Sequence, residues 1–149
     1  MDLGGLLGTI AEGYRLRGEA EPRVELDSAS GPVRVRGVPE RLTAVFENLL
    51  DNALSFSPPS GTVRIELGHP AGWAMVTITD DGPGLPEGSE VQIFSRFYTF
   101  RPSPSKSDEG HTGLGPALVK TIVEGYGGSV TAATGPEGGA LFTVRLPSA

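Results

Sequence analysis

Two glycine-rich segments, Asp80-Asp81-Gly82-Pro83-Gly84 and Gly110-His111-Thr112-Gly113-Leu114-Gly115, divide the second half of the chain, and both follow a helical pattern that presents Asn48 and Asn52. Glycine weakens any regular element it interrupts and proline removes a backbone donor, so the chain has to turn at both places. In a chain with 22 Gly each segment alone is a weak signal. In this order, with the asparagine helix ahead of them, they describe one site assembled from a helix face, a strand end and a loop.

The helix is the clearest element. Pro39 suits its first turn, and Leu42, Val45, Phe46, Leu49 and Ala53 recur at spacings of three and four. The pattern predicts a helix running to about Phe56 and stopped before Pro58-Pro59. Asn48, Asn52 and Ser55 fall at i, i+4 and i+7, a polar stripe beside the apolar face. Val63, Ile65 and Leu67 then alternate with Thr62, Arg64 and Glu66, and a second strand runs from Trp73 to Asp80 after a turn at Gly68-His69-Pro70. Period-two counting puts Ala74, Val76, Ile78 and Asp80 on one face, so a core-facing strand ends by aiming a carboxylate inward. Burying that charge is costly unless something hydrogen-bonds it, and a ligand amine is one such partner.

Leu3, Leu6, Leu7, Ile10 and Tyr14 predict an amphipathic helix over residues 2 to 18. Val24 and Leu26, then Val33 and Val35, read as two short strands around a Ser30-Gly31-Pro32 turn. Val91, Ile93, Phe94, Phe97 and Tyr98 form a short apolar-aromatic segment. Residues 99 to 112 are rich in proline, serine and charge, a connection long enough that it is usually functional. A helix from Pro116 to Tyr126, stopped by Gly127-Gly128, precedes two closing strands over residues 129–134 and 141–146. Helices and strands mix without regular βαβ alternation. The expected fold is therefore α+β, a two-layer α/β sandwich with about three helices on one face of a mixed, mostly antiparallel five-stranded sheet. At 149 residues it makes one domain.

Twelve basic against 18 acidic residues give a net charge of −6, which argues against nucleic acid or an anionic membrane surface as partner. The absence of cysteine excludes a disulfide framework and thiolate metal sites. No apolar run approaches 18 residues and no signal-peptide pattern opens the chain, so a soluble domain without direct membrane contact is expected, the cytoplasmic portion of a larger membrane-bound protein.

Gly113-Leu114-Gly115 immediately before Pro116 offers a helix N-terminus, where backbone N–H groups and the helix dipole favour a polyphosphate. No Lys-Ser/Thr follows Gly115, so this is not the GxxxxGK[ST] loop, and phosphate charge has to be met largely by Mg²⁺. Asn52 is a candidate oxygen ligand for it.

The order Asn48-Leu49-Leu50-Asp51-Asn52-Ala53, Asp80-x-Gly82-x-Gly84, Ile93-Phe94-Ser95-Arg96-Phe97-Tyr98 and Gly113-Leu114-Gly115 resembles the asparagine, first glycine, phenylalanine and second glycine boxes of bacterial two-component sensor histidine kinases. Phe142-Thr143-Val144-Arg145-Leu146-Pro147 is similar to that family's closing strand. The resemblance covers nearly the whole chain. It implies a domain that binds Mg²⁺-ATP and transfers the γ-phosphoryl to a histidine on a separate dimerisation and phosphoacceptor domain, for relay to a response regulator. Asn52 would be the Mg²⁺ ligand with Asn48 beside it, and Asp80 the reader of the adenine amine. Gly82, Gly84 and Leu85 would pass beside the base, and Ser55 and Phe56 would close the helix end of the pocket. Residues 99 to 112 would be an ATP lid anchored by Phe97 and Tyr98. Arg96, Arg101 and Lys106 would supply charge near the phosphates, and Thr112, Gly113, Leu114 and Gly115 the phosphate-side hinge. Residues 1 to 18 would be the connector from the absent dimerisation helices. The chain departs from the family's usual residues in carrying Ser55 and Thr99 where a basic residue is common, Asp81 for asparagine and Pro116 for leucine.

Two other functions stay open on the residues. One is a nucleotide-sensing module with weak or no kinase activity. The other is an ATPase of the gyrase and chaperone type, which in that superfamily places a glutamate four residues before the metal-binding asparagine. Asn48 stands there, and Glu47 lies about 100° around the helix. His69 and His111, in a turn and in the lid, lack the helical setting of a phosphoaccepting histidine.

Overall fold

The computed structural model describes residues 1–17, 23–28, 33–56, 61–80, 82, 115–135 and 139–149. These form, in order, helix α1 (Leu3–Arg17), strand β1 (Arg23–Ser28), helix α2 (Pro39–Phe56), strands β2 (Thr62–Gly68) and β3 (Trp73–Thr79), helix α3 (Gly115–Gly125), and strands β4 (Ser129–Thr134) and β5 (Ala140–Pro147). The five strands make one sheet in the order β1-β2-β3-β5-β4. β1 and β2 run parallel, and every other neighbouring pair is antiparallel.

Alternation in sequence becomes a buried face because the register aligns it. Ile65 lies opposite Ile78 and Ile78 opposite Phe142, while Val76 pairs with Val144 and Val144 with Val130. That face receives the helix layer. α1 packs on β1 and α2, α2 on β2, β3 and α3, and α3 on β4 and β5. α2 contributes Leu42, Val45, Phe46, Leu49, Leu50 and Ala53 to the core, each fully buried. At about 1.5–3 kcal/mol for each large side chain taken from water, this face holds α2 in place far more firmly than helix propensity does. The polar stripe of α2 therefore sits at a fixed roll angle.

The helix ends are locked by local chemistry. Val38 accepts from the amides of Arg41 and Leu42 through its carbonyl and donates its own N–H to the Tyr126 hydroxyl at 3.0 Å. α3 ends in a Schellman motif, with Gly128 N–H donating to the Val123 carbonyl and Gly127 N–H to that of Glu124. Gly127 takes the positive φ of +84° that this motif requires. β2 and β3 are joined through Ala71 and Gly72, at φ +41° and +87°, and Trp73 N–H bonds the Pro70 carbonyl. Two positive φ values match the twist of a two-residue hairpin.

One local expectation is corrected. Residues 24–26 and 33–35 do not form a hairpin. β1 instead pairs parallel with β2, Val24 opposite Val63 and Leu26 opposite Ile65. Residues 33–35 make only isolated bridges, Arg34 with Asp2 and Val35 with Ser148. The apolar face of β2 outcompetes the nearer segment, because pairing there carries Val24 under α1 into the common core.

Candidate functional site

The hydrophobic face of α2 is anchored below, and that packing sets the flank that carries Asn48 and Asn52. Asn52 is 4% exposed. Asn48 is half-buried, and its side-chain oxygen Oδ1 is enclosed without a hydrogen-bond partner. A buried acceptor left unbonded costs about 1–3 kcal/mol, so the position suits a donor or a cation brought by a ligand. Asp51, between them, accepts a hydrogen bond from the Tyr14 hydroxyl of α1 at 2.8 Å.

Asp80 stands one residue beyond β3 and is 5% exposed. Its Oδ1 accepts from the backbone N–H of Gly82 at 2.7 Å and of Ala140 at 3.2 Å. The Asp80 N–H in turn bonds the Ala140 carbonyl at 3.2 Å. Gly139 comes so close that a Cβ there would overlap the Asp80 carbonyl. The carboxylate is thus clamped between its own turn and the start of β5. Both amides bond Oδ1 of a carboxylate, a group that only accepts when ionised.

Among the described residues, Asn52 and Asp80 are the polar or charged side chains in the buried class. They are two of the residues that the sequence singles out, on elements that pack against each other. Gly82 donates to Asp80 as described, and Gly115 opens α3. Gly84, Leu85, Arg96, Phe97, Tyr98, Arg101, Lys106, Thr112, Gly113 and Leu114 lie outside the described residues, as do the side chains of Ser55 and Phe56. His69 is exposed in its turn, its Nε2 2.6 Å from the Ser148 hydroxyl. No cluster of three or more His, Cys, Asp or Glu able to hold a metal occurs among the described residues. A cation at this site would rest on amide oxygens and on the ligand's own phosphates, a donor set that suits Mg²⁺.

Two parts of the site were missed in the sequence. The Gly139-Ala140 clamp lies 60 residues from Asp80. Its only signal is Gly138-Gly139 just before the closing strand. The Tyr14–Asp51 bond joins residues 37 apart, and Tyr14 reads simply as the last apolar position of α1. Among the described residues no helix is long and apolar enough to cross a membrane.

Residues 37–149 match the family described as histidine kinase-, DNA gyrase B-, and HSP90-like ATPase. The chain is 39% identical over 110 residues to the sensor histidine kinase TmoS of Ectopseudomonas mendocina, covering 72% of this chain and 11% of that protein's length. Its fold superposes on the mycobacterial sensor histidine kinase MprB with a TM-score of 0.83 and 29% identity, over 99% of this chain and 97% of that one. Full-length ShkA in complex with AMPPNP superposes with a TM-score of 0.82 and 26% identity, over 100% of this chain and 30% of that one.

Proposed function

Because the chain belongs to the family of histidine kinase-, DNA gyrase B- and HSP90-like ATPases, we propose that it binds Mg²⁺-ATP and donates the γ-phosphoryl to a histidine on a separate dimerisation and phosphoacceptor domain, for relay to a response regulator. The observation that carries this reading is the buried pair: Asn52 and Asp80 are, among the described residues, the polar side chains taken into the core, on elements that pack against each other.

Asp80, clamped by the amides of Gly82 and Ala140, accepts from the exocyclic amine of adenine. A fixed acceptor favours adenine over guanine, which offers a carbonyl at the equivalent position and would leave the carboxylate opposed by another acceptor. Asn52 would hold Mg²⁺, with Asn48 beside it, and the ion would supply charge to neutralise the triphosphate. The N-terminus of α3 at Gly115 faces the phosphates with its dipole. Phosphoryl transfer needs little covalent chemistry from a protein, so the work of these groups is positioning and charge stabilisation. Arg96, Arg101 and Lys106 add positive charge from the segment between the glycine boxes.

Transfer is favoured over hydrolysis because Glu47 is exposed while Asn48 turns its oxygen inward. An exposed carboxylate on the flank of α2 is badly placed to activate a water at Asn52. The relative TmoS and the neighbour MprB are named as sensor histidine kinases, and ShkA was solved with an ATP analogue, which supports the same reading. The natural setting is the cytoplasmic part of a larger kinase.

Calorimetric titration with AMPPNP, with and without Mg²⁺, tests the site. Binding that strengthens with Mg²⁺ and collapses in Asp80→Asn is the expected result. Absence of binding at millimolar analogue refutes it. Binding without transfer to a supplied phosphoacceptor domain would instead favour a nucleotide-sensing module.

A further inference from the structure

The hydroxyl of Tyr14 is buried, with the residue 7% exposed, in the seam between α1 and α2. It donates to Asp51 Oδ1 at 2.8 Å and lies 3.2 Å from the Glu47 carbonyl. That carbonyl is the acceptor, within the helix ladder, for the N–H of Asp51. One phenol therefore touches both ends of the turn Glu47–Asp51, which neighbours the turn Asn48–Asn52. On the other side, Arg15 donates from Nε to the Val24 carbonyl of β1 at 3.2 Å. The last turn of α1 is thus tied to α2 by one residue and to the sheet by the next.

The buried apolar face of α2 sets its roll, and the Tyr14–Asp51 bond adds a directional restraint on that roll from α1. A charge-assisted hydrogen bond is directional and roughly twice as strong as a neutral one. Asp51 points to α1 at the position preceding Asn52, about 100° around the helix. Any rotation of α2 that carries Asn52 away from its buried setting also pulls Asp51 from Tyr14.

From this geometry we infer that Tyr14 is a positioning residue for the metal side of the nucleotide site, acting through Asp51 on Asn52, and that α1 thereby controls Mg²⁺-dependent nucleotide affinity. The inference rests on the proposed nucleotide function. Tyr14 touches no ligand group itself. A shift of α1 changes this restraint on the Glu47–Asp51 turn of α2 and hence the metal-dependent part of binding. The adenine end at Asp80 is held by β3 and β5 and is left alone.

The test is titration of the 149-residue chain with AMPPNP, with and without Mg²⁺, for wild type, Tyr14→Phe, Asp51→Asn and Asp51→Ala. Tyr14→Phe is expected to lower the affinity gain from Mg²⁺ by roughly three- to tenfold, the scale of one directional hydrogen bond partly transmitted, while Mg²⁺-free binding stays unchanged. Asp51→Asn keeps an oxygen acceptor and should retain most of the gain, whereas Asp51→Ala should match Tyr14→Phe. The double variant Tyr14→Phe/Asp51→Ala should lose no more than either single change. Amide hydrogen exchange in the nucleotide-free protein should accelerate over residues 47–52 in Tyr14→Phe. A Tyr14→Phe protein with lowered melting temperature but an intact Mg²⁺ gain would overturn the inference and leave the tyrosine a packing residue. Equal losses with and without Mg²⁺ would overturn it too. If wild type binds no nucleotide, the function proposed above fails instead, a result distinguishable from either.

Discussion

At the end of β3 the acceptor Asp80 is fixed by backbone on both sides, the Gly82 amide from its own turn and the Ala140 amide from β5, with Gly139 too close to admit a side chain. On α2 the asparagines sit on a helix flank positioned by packing from below, and the Asn48 oxygen is enclosed yet unbonded. One half of the site is held in place by backbone before anything binds. The other half holds unspent hydrogen-bonding capacity. The difference teaches where selectivity and where affinity should reside. On the proposed function, a clamped acceptor would discriminate between bases without rearranging, because moving it would break backbone hydrogen bonds. On that same proposed function, an unspent oxygen on a helix gains most from what arrives, so metal and phosphate would govern affinity there.

The largest effect is expected where the clamp is tightest. Gly139→Val forces a side chain into the Asp80 carbonyl and should cost about 3 kcal/mol or more in urea unfolding, with loss of nucleotide binding. Near-normal stability would show that the β3–β5 junction yields, and the contrast between a stiff and a compliant half would break. Asp80→Asn preserves an oxygen for both amides but replaces the remaining carboxylate oxygen with a donor. Affinity for AMPPNP should fall about a hundredfold, while stability changes by less than about 1 kcal/mol. Equal losses in stability and affinity would make Asp80 a structural carboxylate. Asn48→Ala should reduce Mg²⁺-dependent binding about tenfold and leave the melting temperature almost unmoved, because its Oδ1 makes no hydrogen bond to lose. The smallest effect sharpens the comparison from outside both halves. Arg145, whose guanidinium lies 4.8 Å from the Trp73 ring centre, should cost only about 0.5–1 kcal/mol on mutation to Ala, without any change in titration.

Most of the fold could be read from the chain because its strongest signals are local. Pro39, the apolar spacing and Pro58-Pro59 bound α2, and the observed helix spans Pro39–Phe56. Period-two phasing placed Asp80 with Ala74, Val76 and Ile78, and all four are buried. What escaped depends on pairings that leave no local trace. Val33 and Val35 carry the same alternation as a strand, but which partner wins is decided by the apolar face of β2, not by distance along the chain. The Ala140 amide that holds Asp80 is a backbone group, invisible to any reading of side chains. Tyr14 has an aromatic ring suited to the core and a hydroxyl whose acceptor, Asp51, could not be known before α1 and α2 were packed together.

β1 is an edge strand, as β4 is at the other side, and it lies with α1 ahead of residue 37, where the match to the family model begins. A chain trimmed to that boundary would keep every glycine box and both asparagines yet uncover the β2 flank, a row of unpaired amides and carbonyls beside Val63 and Ile65. Such a flank is a template for pairing with another chain. Glu25 and Asp27 of β1 place negative charge at the present border of the sheet. The stretch ahead of the family match therefore guards solubility, and its removal is expected to yield dimers and aggregates by light scattering rather than a smaller folded domain.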